Sequence, residues 1–218
     1  MGLSVQVGIL AFLQANVPDG AAWFRQSFNA VNDLLRQHHL PEHSEPETLP
    51  KLENRCSLHG FQYSMLHILR RAYARRIADP NWIATPVPIG QKPTDDPVLR
   101  TQYRRAESHL LTHSDAEGFY LPVDFNKVLF DDSNRIPGRM VGSSYRLIEE
   151  LVVVAPALEI MMDGQSLPDA EAESVNALLN AQARLNAQTG LFEEKIVWLS
   201  LYEAARLSIE HRTAIVFG

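Results

Sequence analysis

The chain has one cysteine, Cys56, so no disulfide can close within it. That suits a reducing compartment. No apolar stretch approaches the roughly 20 residues of a membrane-spanning helix. The apolar run from Val5 to Leu13 has no basic region before it and no clear small-residue cleavage site after it. A cytoplasmic protein without membrane contact is expected. Basic residues are also short: 20 Lys and Arg stand against 26 Asp and Glu, a formal net charge of -6. A phosphate backbone selects basic surfaces, so nucleic acid is not an expected partner. The acidity fits a basic protein partner, or solubility alone. The sequence also lacks GxSxG, a Walker A loop, GxGxxG and a zincin HExxH. These absences remove the common hydrolase, nucleotide and metalloprotease signatures, and no cofactor is expected.

What is present is a core. Of 218 residues, 45% are apolar, with three Trp, six Tyr and nine Phe. That is enough to order the chain. Leu3 to Val7 begins as apolar–polar alternation, a strand, and Gly8 can turn the chain into a short helix through Leu13. Trp23, Phe24, Phe28, Val31, Leu34 and Leu35 recur at helical spacing, with Asp19 or its loop as cap. Residues 39–50 read as a surface loop. A helix is expected over Phe61–Ile77, stopped by Pro80, and four prolines within 84–97 make a wrapping loop. Val98–Leu111 reads as helix, and Gly118–Phe125 as a strand that Pro122 would place at an edge or bulge. Ser143 or Ser144 can cap a helix bearing Leu147, Leu151 and Val154. Asp169–Gln188 reads as a peripheral helix. Phe192–His211 is apolar around most of its circumference, with Glu203, Arg206 and Glu210 as a narrow polar stripe, so it belongs at the centre of a fold. Thr213–Phe217 is a terminal strand to be paired inside a sheet. The expected fold is α+β, a helix-dominated single domain over residues 1–218 with a small sheet holding both terminal strands.

Candidate chemistry gathers in HLLTHSDAEGFYLPVDF, residues 109–125. His109 and His113 are four apart and share a helix face, so with Asp115 as an oxygen ligand they could hold a metal. The alternative is that Asp115 turns the loop and His113 bonds backbone. Asp115, Glu117 and Asp124 are also candidates for a partner-binding surface. Arg70, Arg71, Arg75 and Arg76 lie on one helix, echoed by Arg100, Arg104 and Arg105. They are either an anion site or partners for acids elsewhere. The turn Gly138–Ser144 precedes a helix, where backbone N–H groups could cradle an anion. In that case His113, Arg146, Ser143 and Ser144 would be ligand-binding residues. Ordinary helix capping explains the two serines equally well. Cys56 has no flanking motif, and burial is its expected fate.

HSDAEGFYLPVDF at 113–125, GSSYRLIEELVVVAPAL at 142–158 and WLSLYEAARLSIEHRTAIVFG at 198–218 resemble an uncharacterised bacterial protein family of unknown function, over nearly the whole chain. The early N-terminal strand, the long penultimate helix and the short final strand resemble the YfbM-like family more weakly, which implies a related α+β arrangement. Small acidic cytoplasmic proteins of this kind are similar to immunity or antitoxin proteins. On that resemblance the chain is a non-enzymatic interaction protein holding a basic toxin. The competing expectation is a small enzyme or ligand-binding protein with a His/Asp site around 109–124.

Overall fold

The structure is a computed structural model that describes residues 2–180 and 190–218. Its elements run β1 (Gly2–Val7), α1 (Ile9–Asn16), α2 (Pro18–Gln37), β2 (Gly60–Gln62), α3 (Tyr63–Ala78), α4 (Pro97–Tyr103), α5 (His109–Thr112) and β3 (Gly118–Leu121). They continue with β4 (Leu129–Phe130), β5 (Met140–Ser143), α6 (Ser144–Val154), α7 (Asp169–Ala177), α8 (Phe192–His211) and β6 (Ile215–Phe217). The expected α+β fold, with both terminal strands in one sheet, is the observed one. The six strands form one sheet in the order β2-β1-β6-β3-β5-β4. Among the described residues only β3 and β5 pair in parallel. The Asp169–Gln188 expectation is met over Asp169–Ala177, and positions 181–189 lie outside the described residues.

Strand alternation divides the core into two layers. Ile215, Phe217 and Tyr120 face one cluster, with Leu147, Leu151 and Trp198. Val216, Phe119 and Leu121 face the other, with Phe28, Val31 and Leu35 of α2. The period of two along a strand makes this division. The centre of the larger layer is α8, as its near-continuous apolar circumference requires. Trp198 is fully buried, stacks on Tyr202 with centroids 4.9 Å apart, and donates its indole N–H to Leu151 O at 2.7 Å.

Three local readings are corrected. The helix expected over Val98–Leu111 is two helices, because the chain breaks at Ala106 (φ 50°) and Ser108 starts a new one by accepting from the Leu111 N–H. Phe61 belongs to β2, not to the helix that follows it. The Gly118–Phe125 strand stops at Leu121 and is interior, between β6 and β5. Pro122 has no N–H to give the ladder, so it ends the strand and does not mark an edge.

Candidate functional site

The 109–125 segment is built into the core by partners far away in sequence. Arg70 is only 3% exposed and donates to Leu110 O at 2.8 Å and His113 O at 2.6 Å. Glu150, from α6, caps α5 from the other side. Its carboxylate accepts from the Ser108 hydroxyl (2.9 Å), the His109 N–H (2.8 Å) and the Leu110 N–H (2.6 Å). Burial pushes Glu150 up to about 7, against the pull of those three donors.

The two histidines are buried and internally used. His109 Nδ1 accepts from the Ser143 N–H at 2.9 Å, which leaves its proton on Nε2. His113 stacks on Tyr120 with centroids 4.1 Å apart, and its ring nitrogens lie 3.0 and 3.1 Å from the carbonyls of Ser114 and Phe119. Burial pushes both rings down to about 4, so both are neutral at pH 7. Asp115 turns away to His67, 3.0 Å distant. Among the described residues no three His, Cys, Asp or Glu stand together as a metal requires, so His109, His113 and Asp115 are not gathered into one centre.

The other expected residues are likewise engaged. Arg146 bridges Asp124 (2.8 Å) and Glu149 (2.9 Å). The Ser143 hydroxyl donates to Val123 O, and Ser143 caps α6. Ser144 shares a hydrogen bond with Ser208 at 2.7 Å. The α3 arginines are partners for acids and carbonyls: Arg71 and Arg75 both hold Asp96, and Arg71 also reaches Thr85 O. The turn before β5 does receive an anion, but an internal one. Glu117 accepts from the Gly138 N–H at 3.2 Å.

Four buried side chains hold the polar core together: Arg70 and Glu203, which the sequence marks only as members of an arginine cluster and a polar stripe, and Glu150 and Glu45, which no local pattern points to. Each has at least one partner more than 30 residues away in sequence. Glu45 accepts from the Thr213 hydroxyl, the Ala214 N–H (2.7 Å) and His43 (2.6 Å), which ties the 38–59 loop across the start of β6.

The outer surface differs from this interior, in which most polar groups are paired and the His109 Nε2 and Thr112 hydroxyl are not. Between Arg146 and Arg184 the sequence has seven acids and no Lys or Arg. Glu149, Glu159 and Asp169 meet Arg146, Lys195 and Arg55, and Glu150 is buried. Asp163, Glu171 and Glu173 have no cationic partner among the described residues, and all three reach solvent at or beside α7.

Fold and surface thus define an α+β protein whose polar core serves structure and whose 147–183 stretch carries acids without a cationic partner among the described residues. The chain belongs to the family described as "Putative DNA-mimic protein", whose model matches residues 1–217. No curated protein and no solved structure matches it. The resemblance to a family without an assigned role is therefore refined, and no YfbM-like likeness is found. The family description also overturns the expected function, an immunity or antitoxin protein holding a basic toxin, and with it the His/Asp enzyme alternative. It points to proteins that bind DNA. Leaving nucleic acid out of the account is corrected too: acidity that disfavours binding DNA is what imitating DNA requires.

Proposed function

We propose that this protein binds a DNA-binding protein on the surface that would otherwise contact phosphates, with carboxylates in the phosphates' place. The observation that carries this reading is the acidic stretch of 147–183, which has no base and in which Asp163 and Glu173 are exposed and Glu171 is half-buried. Lysines and arginines that contact DNA position a protein through point charges on the backbone. Carboxylates on a helix supply comparable charges, and Glu171 and Glu173 of α7 have no cationic partner among the described residues. The 115–124 acids are secondary in this reading, because Asp124 already carries a cationic partner, Asp115 meets His67 and Glu117 is held by Gly138. A cytoplasmic location belongs to the same proposal.

The test captures DNA-binding proteins from cell extract on the immobilised chain and challenges them with duplex DNA. Release by DNA is expected, together with loss of capture in the Asp163→Asn, Glu171→Gln, Glu173→Gln variant. Capture that is indifferent to both would sink the reading. The three positions are surface ones, so the variant should fold normally.

A further inference from the structure

A second surface feature has the opposite character to the acidic stretch. A groove of about 530 Å³ opens between α2, the 134–139 turn and β6. Trp23 lines it and is 52% exposed, with its indole set edge-on to Phe24 at 4.7 Å. Arg135 and Arg139 line it from the turn, each with more than half of its side chain exposed. Exposed tryptophan and arginine are rare companions on a surface without a ligand or partner, since both gain most from being covered.

The turn is rigid. Asp131 accepts from the Ser133 N–H and hydroxyl, the Arg135 N–H and the Ile136 N–H, and Arg139 Nε donates back to Asp131 O. Gly138 (φ 65°) packs so closely on Glu117 that a Cβ would lie 2.2 Å from Glu117 O. Gly138 lines the same groove as Arg135 and Arg139, and its N–H is taken by the exposed Glu117 carboxylate at 3.2 Å. Glu117 marks the place of an anion. Three internal acids compete for these donors: Glu117, Asp33 at 2.7 Å from Arg135, and Asp132 at 3.8 Å from Arg139. None of the three contacts is buried, so each is weak.

We propose that this groove binds a mononucleotide, with its base on the Trp23 indole and its phosphate between Arg135, Arg139 and the Gly138 N–H in place of the Glu117 carboxylate. Base–indole stacking and bidentate arginine–phosphate contact are the two interactions the groove offers together. A small anion suits it better than a polymer, because each further phosphate meets the net charge of -6. The site is separate from the 147–183 surface, so it stands or falls independently of the proposed function.

The experiment titrates the full chain with AMP and follows tryptophan fluorescence and heat. Trp198 is fully buried and Trp82 half-buried, so quenching reports Trp23, and a Trp23→Phe variant should abolish it. Saturable quenching is expected, with adenosine binding about tenfold or more weakly for want of a charge-assisted contact. The Arg135→Gln, Arg139→Gln variant should lose a similar factor. Glu117→Gln should bind AMP more tightly, because it removes the competing charge, and a merely structural role would not predict a gain. No saturable quenching at millimolar AMP overturns the proposal, and so does a Glu117→Gln variant with unchanged affinity.

Discussion

Glu203 sits in the middle of α8 and reads in sequence as part of a solvated stripe, yet its side chain is fully buried. It accepts from Arg55 through the backbone N–H (3.0 Å), Nε (3.0 Å) and NH2 (2.6 Å), and from Arg206 NH2 at 2.9 Å. Burial works to raise its pKa, but the hydrogen bonds from Arg206 and Arg55 win and hold it below the usual carboxylate range. Removing one member of a buried pair leaves the other unpaired. Because Arg55 and Arg206 keep a quarter of their side chains in water, the expected cost of Glu203→Ala is discounted to about 2–3 kcal/mol. Urea unfolding of the variant checks this. A loss below about 0.5 kcal/mol, the level of ordinary surface substitutions, would mean that the network is not stabilising. At this scale the sequence was legible for apolar residues and for local roles such as the Ser143 helix cap, and not for the long-range partners of buried charges. Cys56 is buried as expected, and burial pushes its thiol up to about 11, so it is inert at neutral pH.

The element scale is set by helix ends. α5 has only four residues, too few to persist alone, and it is held by Glu150 at its start and Arg70 at its end. This arrangement has a pH signature. Glu150 and Glu194, raised by burial to about 7, favour the folded state below pH 4.5 and lose that contribution as pH rises to 7. His109 and His113, lowered by burial to about 4, favour it above pH 6.5 and lose that contribution as pH falls to 4. The two pairs oppose each other across nearly the same window. Glu150→Gln removes one of the acids. Relative to the parent, the variant should therefore gain stability as pH rises from 4.5 to 7, by at most about 1.4 kcal/mol per pH unit. Denaturant midpoints across that range test it, and a pH-independent difference would show that Glu150 titrates normally in the folded chain.

For the whole molecule the relevant quantity is charge density. Duplex DNA carries one charge per about 1.7 Å and a condensed counterion layer, which makes its complexes strongly salt-dependent. This chain spreads a net -6 over 218 residues. If it meets the same protein surface as DNA, that partner's affinity for it should fall less steeply with salt than its affinity for DNA. Paired titrations from about 50 to 200 mM salt, the range over which DNA complexes weaken strongly, measure the two slopes. Equal slopes would argue against carboxylates held on a folded, low-density surface.

By itself the sequence determined the α+β fold, the central place of α8 and the pairing of both terminal strands. Periodicity and apolar content are local, and burial follows from them directly. It determined the net acidity as well. Only the tertiary structure decided what the polar residues do. His109, His113, Ser143 and Ser144 are recruited by β3, β5, α6 and α8, while Asp115, Glu117 and Asp124 meet His67, Gly138 and Arg146. A hydrogen bond needs a partner at about 3 Å, and folding alone brings residues 20 to 170 positions apart to that distance.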